Sequence, residues 1–123
     1  MAARATGLIP MAHVADVQRA IDFYALLDFR VRGTHKDPDG QLVWAHVRCE
    51  GADLMLTRAS DPIDPTRQGV LFYLYSLDLV ALRNQLLANG VKVSVISYPV
   101  YMPKGEVCLS DPDGYTLLIG QVG

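Results

Sequence analysis

Three residue pairs, each 62 positions apart, constrain this chain more than any local propensity does. Asp16 and Asp78 (78 − 16 = 62) each open an amphipathic helical stretch. Ile9 and Leu71 (71 − 9 = 62) lie in apolar strands just before those Asp residues, and Val31 and Val93 (93 − 31 = 62) in strands just after the helices. A self-similar period fixes which elements recur and in what order, so it is read before anything else. Each copy reads as strand, helix, then three strands with tight turns. The expectation is an α+β fold of two tandem β-α-β-β-β modules. Module one covers about 7–58, a loop 59–68, and module two about 69–121, within a single domain spanning 1–123.

The local signals agree with that plan. Leu8 to Val14 reads as a strand, and Asp16 as an N-cap whose carboxylate accepts from the first-turn amides. Val17, Ala20, Ile21, Tyr24 and Leu27 follow at helical spacing, with the helix stopping near Asp28. Phe29 to His35 returns to a strand. Asp37-Pro38-Asp39-Gly40 is strong turn chemistry, because Pro presets φ and Gly accepts a positive one. Gln41 to Cys49 and Asp53 to Arg58 are strands joined by Glu50-Gly51-Ala52, and Ala59 to Gln68 is a polar loop. The second copy runs from the strand Val70 to Ser76 into a helix capped by Asp78, with Leu79, Leu82 and Leu86 apolar and Asn89-Gly90 ending it. Val91 to Tyr98 is the next strand and Pro99 to Gly105 a loop. Glu106 to Ser110 and Tyr115 to Gln121 flank a second Asp-Pro-Asp-Gly turn, Asp111 to Gly114.

Bulk properties exclude some classes of function. A chain of 123 residues, half apolar and one-fifth charged, has the profile of a globular domain able to bury a core. A formal net charge of −2 argues against nucleic acid as the main partner. No stretch approaches the roughly 18 apolar residues of a membrane span, and Met1 to Thr6 is not followed by a secretory h-region. Cys49 and Cys108 are far apart and read as small buried strand thiols. A cytoplasmic, reducing location is expected.

Strand alternation assigns faces. Ala45, Val47, Leu54, Leu56, Val107, Leu109, Leu117 and Ile119 form the purely apolar sides expected to pack under helices. The opposite sides carry Trp44, His46 and Arg48; Asp53, Met55 and Thr57; Glu106, Cys108 and Ser110; and Thr116, Leu118 and Gly120. The first and fifth strands are apolar on both faces; Ile9, Met11, His13 and Leu71, Tyr73, Tyr75 are assigned to the same concave side. Apolar walls with sparse polar anchors describe a small-molecule pocket. The competing reading is a second layer of packed core, in which Arg48 and Glu106 would need partners. His35, beside a turn, reads as solvated. Glu106 would serve as a general base only if burial raised it; Arg48 or His46 nearby would hold it ionised and structural.

The chain resembles the vicinal oxygen chelate superfamily, which includes glyoxalases, bleomycin-resistance proteins and extradiol dioxygenases. The resemblance rests on Ile9-Pro10-Met11-Ala12-His13-Val14-Ala15-Asp16, on Ala20 to Tyr24 with Leu26-Leu27-Asp28-Phe29, on Leu87 to Val91, and on Leu109 to Tyr115. One departure is Asp28, where relatives often have Gly. The resemblance implies a cup-shaped, partly open mixed β-sheet barrel with the helices outside. Metal-using members place a His on the first strand, a Glu on the fourth, a His or other ligand on the fifth, and a Glu beyond the Asp-Pro-Asp-Gly turn. Carried over, those positions are Ile9, Met55, Leu71 and Leu118, none able to supply the oxygen or imidazole these ions require. The implied protein is a metal-free, cofactor-free binding protein of the bleomycin-resistance type, a homodimer with no catalytic residue. It would hold an aromatic or drug-like molecule against His13, Trp44, His46, Arg48, Tyr73, Tyr75, Tyr98, Tyr101 and Glu106. The alternatives are a glyoxalase-like lyase or isomerase with a relocated metal site at His13, His46 and Glu106, and a regulatory module with no small ligand.

Overall fold

The computed structural model describes residues 3–123. They form two compact units, one ending at Ile63 and the other spanning Asp64–Gly123.

The first unit carries β1 (Met11–Val14), α1 (Val17–Ala25), β2 (Arg30–Lys36), β3 (Leu42–Cys49) and β4 (Ala52–Arg58). Its sheet has the order β1-β4-β3-β2, with β1 parallel to β4 and the remaining pairs antiparallel. The second unit carries β5 (Leu71–Ser76), α2 (Leu79–Ala88), β6 (Glu106–Ser110) and β7 (Thr116–Gln121). Its sheet has the order β5-β7-β6, again with the first strand parallel to the last. The fold is α+β, with one sheet and one helix per unit. Neither helix is long and apolar enough to cross a membrane among the described residues.

The repeat extends to the atoms that start and stop the helices. Asp16 accepts from the Arg19 amide at 3.0 Å and Asp78 from the Ala81 amide at 3.1 Å, each satisfying a first-turn donor that the helix leaves unpaired. At the other ends Phe29 N–H donates to Tyr24 C=O and Val91 N–H to Leu86 C=O, across Asp28 at φ 66° and Gly90 at φ 79°. These two left-handed residues are again 62 apart (90 − 28 = 62). Asp replaces the usual Gly at the first position because its short polar side chain tolerates this region better than most. Both Asp-Pro-Asp-Gly turns close alike: Asp37 Oδ1 accepts from the Asp39 and Gln41 amides, and Asp111 Oδ1 from the Asp113 and Tyr115 amides, all at 2.9 Å.

One strand of the plan is missing. The Val91–Tyr98 segment is not a regular strand; its backbone meets β6 at the Ser97–Glu106 bridge and where Ser94 N–H donates to the Cys108 carbonyl at 3.0 Å. The Ser94 hydroxyl takes the Cys108 amide at 2.8 Å, so a side chain interrupts the ladder where a backbone carbonyl would continue it.

In the first unit the core lies between α1 and the apolar side of its sheet. Val17, Ala20, Ile21 and Tyr24 are buried, as are Ala45, Val47, Leu54 and Leu56. Tyr24 meets Phe23 and Phe29 edge-on, with ring centroids 5.1 and 5.8 Å away. In the second unit Leu79 and Leu86 of α2 are buried, with Val107, Leu109, Leu117 and Ile119 from the sheet. Cys108 departs from the buried-thiol expectation. It is exposed, on the side of its strand opposite the buried Val107 and Leu109. Cys49 is half-buried.

Candidate functional site

Residues paired across a ladder share a sheet face. In the first unit two rows therefore lie on the side opposite the buried residues: His13–Thr57–Trp44 and Met11–Met55–His46. Beyond them Asp53 pairs with Arg48. Asp53 reaches diagonally, placing its Oδ1 2.7 Å from His46 Nε2 and 3.8 Å from Arg48 Nε. One carboxylate thus organises two side chains of β3. With the ring proton on Nε2 donated to Asp53, Nδ1 of a neutral His46 is an acceptor. Trp44 stands edge-on to His46, with ring centroids 6.4 Å apart. Burial, reinforced by the Asp28, Glu50 and Asp53 charges, pushes the Cys49 thiol up, so it stays protonated and is a poor nucleophile.

The second unit repeats the ladder with different chemistry. Its rows are Tyr75–Gly120–Glu106, Tyr73–Leu118–Cys108 and Leu71–Thr116–Ser110. By the 62-residue offset Trp44 and Glu106 occupy equivalent places (106 − 44 = 62), so the two modules diverge where an aromatic wall in one is an acid in the other. Glu106 is only 7% exposed. Its Oε2 accepts from the Tyr73 hydroxyl at 2.5 Å and its Oε1 from the Tyr101 hydroxyl at 3.0 Å. That hydrogen bond, with burial and the Glu106 charge behind it, pushes the Tyr73 phenol up to about 12. Tyr101 is raised for the same leading reason. Tyr73 and Tyr75 lie with ring centroids 5.3 Å apart.

Gly120 makes room for the loop that delivers Tyr101. A Cβ at position 120 would stand 2.5 Å from Met102 Cε, so the Met102 thioether occupies the volume a side chain would fill. The loop is pinned by Met102 N–H to Pro99 C=O at 2.9 Å and Gly105 N–H to Met102 C=O at 3.1 Å.

The expected site residues thus fall into two groups. His46 and Arg48 meet at Asp53 with Trp44 edge-on to His46, and Tyr73 and Tyr101 meet at Glu106 with Tyr75 beside Tyr73. His13 lies on the Trp44 row, two strands from it and out of step with His46. Tyr98 is 68% exposed and packs beside Gly105 rather than on the carboxylate. Inside their own units the partners differ from expectation: Arg48 and His46 serve Asp53, while Glu106 is held by phenols. Asp53, Met102 and Gly120 join these groups beyond the expected residues. The first is recoverable from the Glu50-Gly51-Ala52 turn, which sets Arg48 opposite Asp53. The contact of Met102 with Gly120 leaves no local signal.

The metal positions carried over by resemblance do not fit an ion. Met55 lies between Met11 and His46, and Leu118 between Tyr73 and Cys108, so both occupy equivalent central-strand positions with side chains that cannot ligate a hard cation. Among the described residues no group of three or more His, Cys, Asp or Glu is arranged to hold a metal ion.

The sequence profile of the Glyoxalase/Bleomycin resistance protein/Dioxygenase superfamily matches residues 10–119. No curated protein sequence matches the chain. Among solved structures, a bleomycin-binding protein complexed with bleomycin is 18% identical, with a TM-score of 0.75, covering 97% of this chain and 100% of its own. TnmS3, an antibiotic binding protein from Streptomyces sp. CB03234, is 25% identical with a TM-score of 0.71, covering 98% and 100%. A glyoxalase/bleomycin resistance protein from the same Streptomyces strain is 26% identical with a TM-score of 0.66, covering 92% and 97%.

Proposed function

This chain belongs to the Glyoxalase/Bleomycin resistance protein/Dioxygenase superfamily, and from that premise we propose that it is a metal-independent protein that sequesters an aromatic, drug-like small molecule. The observation that carries this reading is the chemistry of the four carried-over metal positions. Ile9, Met55, Leu71 and Leu118 are apolar, which removes the means of polarising a substrate oxygen while leaving surface that favours an aromatic guest. Each unit also carries rings with polar tips: Trp44 beside His46 in the first, and Tyr73 beside Tyr75 in the second. Such groups give contact area and orientation without a nucleophile or a metal-activated water. The antibiotic-binding descriptions of two structural neighbours point the same way.

The same reading has the chain pairing as a homodimer, with no membrane or nucleic-acid partner, in a reducing cytoplasm compatible with its two free cysteines. Apolar side chains left at the surface, Val95 at 75% and Val100 at 97% exposed, are the material such pairing would cover. Sedimentation equilibrium tests the dimer. Binding is tested by thermal shift against a panel of aromatic antibiotics, bleomycin among them, with and without a chelator. Stabilisation by at least one compound, unchanged by the chelator, is expected. No shift across the panel refutes the proposal.

A further inference from the structure

Resting on the binding role just proposed, the ligand class can be narrowed. We propose that Glu106, with Tyr73, Tyr75 and Tyr101, is a subsite for an organic cation bearing N–H donors: an ammonium or guanidinium group on an aromatic ligand.

Two carboxylates anchor the two sheet faces, and they are compensated differently. Asp53 already has His46 at 2.7 Å and Arg48 at 3.8 Å. Glu106, more buried, receives only two neutral phenols. Among the described residues of its unit no Lys, Arg or His forms an ion pair with it. Two basic side chains of this unit are engaged elsewhere: Lys104 donates to the Gly123 carbonyl and Arg83 to the Ser94 carbonyl. A carboxylate taken out of water is costly unless paired, and neutral donors offset only part of that cost. It also offers roughly four lone-pair sites, of which the phenols use two. What is missing from this arrangement is a positive charge with hydrogens to give.

The tyrosines fit the same occupant. Aromatic faces attract a cation within about 6 Å of the ring centroid, and the Tyr73–Tyr75 pair stands on the same face as the acid. Tyr101 arrives on the Pro99–Gly105 loop rather than on a strand, so its hydroxyl is the donor most easily exchanged for one from a ligand. An anionic ligand would face the acid directly and is disfavoured.

The test uses three probes with one ring system: tryptamine (cationic), tryptophol (neutral) and indole-3-acetate (anionic), titrated calorimetrically at neutral pH and low salt. Tryptamine is expected to bind at least about tenfold more tightly than tryptophol, as a charge-assisted hydrogen bond requires, with indole-3-acetate weakest. Glu106→Gln should bring tryptamine and tryptophol within about twofold of each other. Tyr101→Phe, which keeps the charge, should preserve the preference. Equal affinity of the wild type for tryptamine and tryptophol, or failure of all three to bind, overturns this inference; the binding role is decided separately by the antibiotic panel. If Glu106→Gln does not fold, the wild-type ranking with the Tyr101→Phe result decides, and loss of cation preference in Tyr101→Phe also overturns the inference.

Discussion

Gly40 and Gly114 end two turns of identical sequence, Asp-Pro-Asp-Gly, at nearly identical φ values of 82° and 86°. Replacing each by Ala should nonetheless have very different costs. At both positions an Ala must adopt a left-handed conformation, unfavourable by about 1–2 kcal/mol, partly offset by a stiffer unfolded chain worth about 0.4–1 kcal/mol. At Gly40 nothing stands within 4 Å of the added Cβ, so Gly40→Ala should cost about 1 kcal/mol. At Gly114 the Cβ would fall 2.0 Å from the Pro65 carbonyl oxygen and 2.5 Å from its Cα. Backbone cannot rotate aside as a side-chain tip can, so the turn or the segment around Pro65 must move. Overpacking of this kind adds about 1–3 kcal/mol, and separation from Pro65 also strains the Gln68 side-chain bond to the Asp113 carbonyl, 3.1 Å long. Gly114→Ala should therefore be destabilised by about 2–4 kcal/mol in total. Urea unfolding of the two variants, read as midpoint shifts at constant slope, measures the difference. Equal destabilisation would refute the reasoning, because it would mean that Pro65 does not close over the second turn.

Three further outcomes follow from the geometry. Spectrophotometric titration of the phenols should show Tyr73 resisting ionisation to about pH 12, against its ordinary 10.0, with Glu106→Gln releasing it. The sign follows from a folded value above the unfolded one: the stabilisation is whole below pH 10.0 and is lost as pH rises through about 12; a Tyr73 that titrates normally would contradict the bond. Asp16→Ala and Asp78→Ala should each cost about 1 kcal/mol, since each removes one cap acceptor from an equivalent helix start; an unaffected variant would show that its cap is not engaged. On the acid side, Asp37 is held below the usual carboxylate range chiefly by the Gln41 amide, with Asp39 and Arg58 adding, so the first turn should loosen as pH falls below 3.8 through its lowered value. Nuclear magnetic resonance of the Gln41 amide reports this, and Asp37→Asn should flatten the profile.

What could be read from the sequence is what local chemistry decides. The caps at Asp16 and Asp78, the left-handed ends at Asp28 and Gly90, and both Asp-Pro-Asp-Gly turns need only a few consecutive residues, and all recur in the structure. Alternation also sorted β3 and β4, where Ala45, Val47, Leu54 and Leu56 are buried and Trp44, His46 and Met55 lie opposite. It failed over Val91–Tyr98, whose apolar residues satisfy a strand pattern although Ser94 diverts the ladder through its hydroxyl. The partners of the acidic groups depend on register and loop path. Arg48 to Asp53 follows from a short hairpin; Tyr101 on Glu106 and Met102 on Gly120 require the loop to fold back, which no spacing encodes.

On the proposed reading, apolar residues at Ile9, Met55, Leu71 and Leu118 leave a protein that holds an aromatic guest without an ion. The most direct measurement is calorimetric titration of an aromatic antibiotic into protein stripped of metal, repeated after adding zinc, nickel, manganese or iron. Saturable binding with the same Kd in every arm is expected. Binding that appears only with a stoichiometric divalent cation would contradict this reading.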